Sequence, residues 1–105
     1  MKKTYHKLIR DRIPEIIVAQ GKCCIVKKLP DEEYLEMVDA KLDEELAEYH
    51  EDHSIEELAD LMEVIFAAAE ALGYTKEQLE KVRSEKEAER GAFRKRLLLM
   101  EVQDN

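Results

Sequence analysis

The chain is short of every residue that punctuates or staples a fold. It has 3 Gly and 2 Pro in 105 residues, and no low-complexity tract. Nothing therefore reads as a linker, and residues 1–105 are expected to form one domain. Its two cysteines, Cys23 and Cys24, are adjacent. Neighbours rarely bridge each other, so a structural disulfide is not expected. They read as small apolar side chains in a reducing cytoplasm, the expected location. No apolar run reaches the ~18 residues of a membrane helix, and the opening Met1-Lys2-Lys3-Thr4-Tyr5-His6 lacks the apolar core of a signal peptide. Basic excess is missing too. The net charge is -8, with 40% of residues charged. That argues against duplex nucleic acid as a partner, because such binding rewards clustered Lys and Arg.

What is present is mostly helical pattern. Pro14 suits the first turn of a short helix that carries Ile13, Ile16 and Ile17 inward, closed by Gln20-Gly21-Lys22. A long helix is expected from Asp31 to about Asp52. At 100° per residue from Leu35, the residues Val38, Leu42, Leu46 and Tyr49 fall within about 60° of one line. Glu45 lies on the margin of that stripe, and Glu48 beyond it. Ser54 opens a second long helix, since Ser54-Ile55-Glu56-Glu57 has capping-box spacing. From Leu61 to Ala69 this helix carries one charge in nine positions, apolar on nearly every side. Such a helix must be surrounded, and a partner subunit is expected against it, in a homodimer or homotetramer. Gly73 ends it. Thr75-Lys76-Glu77-Gln78 repeats the capping spacing and opens a third long helix through about Ala88, with Leu79 and Val82 inward and Gly91 as a stop. Cys23 to Leu29 reads as a strand, and Leu97 to Val102 as its partner. The expected fold is mainly α, an antiparallel helical bundle with a small two-stranded ribbon.

The most informative absence lies between Glu44 and Glu63. That span holds Glu44, Glu45, Glu48, Glu51, Asp52, Glu56, Glu57, Asp60 and Glu63, and no Lys or Arg. Like charges four apart on a helix repel by about 0.2–0.5 kcal/mol per pair, and no local cation corrects this. A divalent ion would. Glu45 and Glu48 are i,i+3 on one helix, and Glu57 and Asp60 are i,i+3 on the next. A short connection makes the helices antiparallel, so both pairs lie near the same end of the hairpin and can face each other. Four converging carboxylates make a hard-oxygen site suited to Mg²⁺ or Mn²⁺. A plainer reading stands beside it. Glu57 also fits the capping box of Ser54, and Glu56 and Asp60 sit where acids complement a helix dipole. His50 and His53 read as polar turn residues. The Glu-x-x-His pattern of di-iron carboxylate bundles is absent.

The arrangement Glu45-x-x-Glu48 followed by Glu57-x-x-Asp60 resembles the metal motif of the all-α nucleoside triphosphate pyrophosphohydrolases, the MazG-like proteins and their phosphoribosyl-ATP pyrophosphohydrolase and dimeric dUTPase relatives. The flanking runs from Leu42 to Glu48 and from Glu56 to Leu61 look like the two family signatures. Tyr5 to Ile17 is similar to the N-terminal signature of small phosphoribosyl-ATP pyrophosphohydrolase-like proteins, and Lys86-x-x-x-Arg90-Gly91-x-Phe93 echoes their C-terminal pattern. The gap between the acid pairs is shorter than in longer relatives.

The resemblance implies Mg²⁺-dependent cleavage of a nucleoside triphosphate, or of a related nucleotide such as phosphoribosyl-ATP, to the monophosphate and pyrophosphate. Glu45, Glu48, Glu57 and Asp60 would hold metal, with Glu48 also the candidate base. Lys86 and Arg90, i,i+4 on one helix, would contact phosphate or serve as surface charge. Arg10 and Arg12 would contact phosphate or pair internally with acids. Tyr74 and Phe93 are expected in the core, with stacking on a base as the alternative. Two other expectations stay open: a non-catalytic oligomer that docks a partner on its apolar helix, and a nucleotide sensor that keeps the metal site.

Overall fold

A computed structural model describes residues 2–104, and its regular elements there are four helices: α1 (Ile13–Ala19), α2 (Asp31–Glu51), α3 (Ile55–Ala71) and α4 (Lys76–Arg90). None is long and apolar enough to cross a membrane. Pro14 stands in the first turn of α1, where its missing N–H costs nothing. Gly21 ends α1 and Gly73 follows α3, both at positive φ. Past each glycine the chain turns back on its helix. Lys22 donates to the Ile17 carbonyl and Tyr74 to the Ala69 carbonyl, which satisfies carbonyls the helix leaves open. At Thr75 the full capping box forms, the Thr75 hydroxyl accepting from the Gln78 N–H and the Gln78 side chain accepting from the Thr75 N–H.

The centre of the molecule is the α2–α3 hairpin, packed along its length; α4 meets only α3. Of the expected α2 stripe, Val38 is fully buried, Leu35, Leu42 and Tyr49 are half-buried, and Leu46 is exposed. Ala69 is the buried apolar residue of α3. Ile13 and Ile17 turn partly inward, whereas Ile16 does not. On α4 Leu79 is half-buried and Val82 exposed.

Two expectations fail here. Residues 22–30 and 97–102 form no strand among the described residues, so the ribbon is absent. Their composition suits strands, but a strand needs a ladder partner to satisfy its backbone, and Ile25 is 98% exposed. Tyr74 and Phe93 are not core residues either; Phe93 is 97% exposed.

The molecule is extended, 68 × 31 × 21 Å, with a radius of gyration of 18.7 Å. A compact domain of this length has about 13 Å. Its accessible surface is 10092 Å², against about 6,100 Å² for a compact monomer of 12.3 kDa. Met62 and Ile65 of α3, and Leu72 at its C-cap, remain exposed.

Candidate metal centre

The turn between α2 and α3 is three residues long, Asp52 to Ser54, which forces the two helices antiparallel and sets their acidic ends side by side. Ser54 caps α3 by accepting from the Glu57 N–H at 3.2 Å. The reciprocal half of the expected capping box does not form. The Ser54 N–H goes instead to the Asp52 carbonyl, at 2.7 Å. The Glu57 carboxylate is thereby released from cap duty and turns toward the hairpin interior, where its Oε2 is buried without a hydrogen-bond partner.

Glu45 faces it. Although on the margin of the apolar stripe, it is buried, at 7% exposure. Its Oε1 lies 3.4 Å from Lys41 Nζ, and its Oε2 is buried with no partner among the described residues. An unpaired buried acceptor is costly, more so when charged, and two such oxygens in one place could be satisfied by a cation. Glu45, Glu57 and Asp60 each present an oxygen within 4.8 Å of the other two, as do Glu44, Glu45 and Glu48. Glu45 is common to both triads. Of the four expected ligands, three converge directly, and Glu48 joins them through Glu45 instead of meeting Glu57 and Asp60. Glu44 belongs to the cluster although it was not among the expected ligands. Its i,i+4 spacing from Glu48 was the available signal.

The carboxyls feel one another. Burial holds the Glu45 carboxyl above the usual glutamate range, and Glu48 pushes it further up, while Lys41 pulls it down. Burial likewise raises Glu57, followed by repulsion from Asp60, Glu45, Asp52 and Glu56. The acid block is not wholly without cations, however. Lys41, one turn before it, also lies 3.4 Å from Glu44 Oε1. Arg10, fifty residues before Asp60, donates from Nη2 to Asp60 Oδ1 at 2.6 Å. Five carboxylates thus share two cations, and the cluster remains strongly negative.

The other basic residues lie elsewhere. Arg12, at the N-cap of α1, pairs with Glu15 in the first turn of that helix at 3.3 Å. Lys86 and Arg90 are exposed on the last turns of α4, and among the described residues neither forms an ion pair with the cluster. Of the four basic residues expected to meet a ligand, only Arg10 reaches the acids. It does so as an internal ion pair, with a partner that spacing could not name.

These features define a helical-hairpin protein with a carboxylate cluster at its turn. An uncharacterized protein of Mycolicibacterium smegmatis (strain ATCC 700084 / mc(2)155) is 55% identical over 42 residues, which make up 40% of this chain and 43% of that protein. No family model matches the chain. No solved structure matches it.

Proposed function

We propose that the protein is a divalent-metal-dependent nucleotide pyrophosphohydrolase, cleaving a nucleoside triphosphate or a related nucleotide between its α and β phosphates. The observation that carries the reading is the pair of buried, unpartnered oxygens, Glu45 Oε2 and Glu57 Oε2, converging with Asp60. The donor set is all oxygen, which fits Mg²⁺ or Mn²⁺. Glu45, Glu57 and Asp60 are the residues that hold the ion. When bound, it supplies positive charge for a polyphosphate and acidifies water.

The remaining groups divide the work. Glu48 accepts the proton of the attacking water, because it is half-buried beside Glu45 and among the described residues has no cation partner to hold it, whereas Glu44 and Glu45 share Lys41. Lys41 favours the ionised form of Glu45 from its place beside Oε1. Lys86 and Arg90 meet substrate only if a second copy of the chain brings its α4 to the cluster, and the apolar surface of α3 offers a seat for that copy. A homo-oligomer is therefore part of the proposal, which sedimentation velocity tests separately.

The test of the function is release of pyrophosphate from a panel of standard and non-standard nucleotides. Turnover that requires Mg²⁺ or Mn²⁺ supports the reading. Metal binding with nucleotide binding and no turnover would leave a sensor in its place. A non-catalytic oligomer is favoured by the exposed Met62, Ile65 and Leu72, and it would bind neither metal nor nucleotide.

A further inference from the structure

The cation on Asp60 differs in kind from the cation on Glu45. Lys41 belongs to α2, is 19% exposed, and touches two carboxylates from its own helix. It is the more buried of the two cations and is shared by two carboxylates. Arg10 lies in the segment ahead of α1, outside any helix, and its side chain is 57% exposed. It reaches Asp60 through a single hydrogen bond from Nη2. Exposed ion pairs of this sort are weak, since water competes for both partners.

We propose that Arg10 and a divalent cation are alternative occupants of Asp60, so that loading the Glu45–Glu57–Asp60 triad releases Arg10 and the arm that carries it. This rests on the metal reading given above. Asp60 offers one of three oxygens that lie within 4.8 Å of each other. An ion among them would stand a few ångströms from the guanidinium, and the repulsion between like charges is strong at that range away from bulk water. The buried Glu45 Oε2 shows that the triad lacks a partner even with Arg10 on Asp60. The weaker, more exposed cation is the one to yield. In the metal-free protein Arg10 then acts as a latch that ties the segment ahead of α1 to Asp60 of α3. In the loaded protein the same guanidinium is free at the rim of the site, where an anionic ligand arrives. Each cation shifts the equilibrium by its differential affinity for the two states.

The experiment compares Mn²⁺ affinity, by calorimetry, of the full chain with Arg10→Gln and Arg12→Gln. Arg12→Gln removes the same charge from the same segment without touching Asp60. The exchange predicts that Arg10→Gln binds Mn²⁺ roughly two- to fivefold more tightly, the range an exposed ion pair allows, with a smaller gain for Arg12→Gln. It also predicts that the NMR order parameter of the Arg10 Nε–H falls when Mg²⁺ saturates the wild-type protein. Weaker binding in Arg10→Gln, equal gains in the two variants, or an Arg10 side chain equally ordered with and without Mg²⁺ would each overturn it while leaving the metal site standing. If none of the three proteins binds Mn²⁺, the metal site falls, and the exchange with it.

Discussion

Helix α4 and the acidic end of the α2–α3 hairpin are both dense in glutamate, and the chain treats them in opposite ways. On α4 Arg83 sits between Glu80 and Glu87, at 2.6 and 2.7 Å. Its hydrogen bond holds the Glu80 carboxyl below the usual glutamate range, and Arg83 is itself held above its ordinary value. That is a solvated helix face with mixed signs, the arrangement that supports a helix. At the hairpin end burial raises Glu45 and Glu57, and neighbouring acids raise them further, Glu48 acting on Glu45 and Asp60 foremost on Glu57; among the described residues two of their oxygens have no partner. One region uses acids to stabilise itself. The other accumulates a repulsion that Lys41 and Arg10 offset only in part, and such clusters of perturbed groups are candidates for functional sites.

The contrast predicts its own tests. The largest effect belongs to Glu48→Gln, expected to lower pyrophosphate release by about 10²–10⁴-fold with helicity by circular dichroism retained. The matched neutralisation on α4, Glu80→Gln, should leave turnover unchanged; loss in both would erase the distinction between the regions. Next comes Lys41→Met. Removing the cation beside buried Glu45 should destabilise the metal-free protein by about 1–3 kcal/mol in urea unfolding, and saturating Mg²⁺ should recover much of it. An unchanged midpoint would mean that Lys41 is an ordinary surface lysine.

The smallest effect is pH dependence. A carboxyl whose value is raised by folding stabilises the native state below its ordinary value of 4.5 and loses that contribution as the pH rises through the raised value. Glu45 and Glu57 therefore make the metal-free protein lose stability as the pH climbs above 4.5. Glu80, lowered from 4.5, works in reverse: its contribution is present above 4.5 and lost as the pH falls through its lowered value. Thermal melts from pH 4.5 upward should show the hairpin's slope, Tm falling as the pH rises, and Mg²⁺ should flatten it. Salt should weaken the α4 contribution first, because those charges are exposed.

Most of the helical architecture was legible in the residues themselves. Pro14, Ser54, Thr75 and Gly73 act through bonds within four or five positions, so their spacing carries their meaning. Convergence of Glu45 with Glu57 and Asp60 was legible for the same reason, since a three-residue turn leaves the hairpin little choice. What failed was non-local. Ile25 and Leu97 have strand-like neighbours, but pairing depends on two segments meeting across seventy residues, and they do not. The Arg10–Asp60 bond spans fifty residues and leaves no trace in any window of sequence. The depth of Glu45 was missed because an angle on a helical wheel gives a face, not the height of the wall opposite.

The central claim is that the hairpin turn holds a divalent cation, and calorimetric titration of the metal-free protein with Mn²⁺, beside Glu57→Gln, addresses it directly. The account predicts saturable binding in the wild-type chain and its loss in Glu57→Gln, with both proteins equally helical. Absence of binding in the wild-type chain, or equal binding in the two proteins, would contradict it.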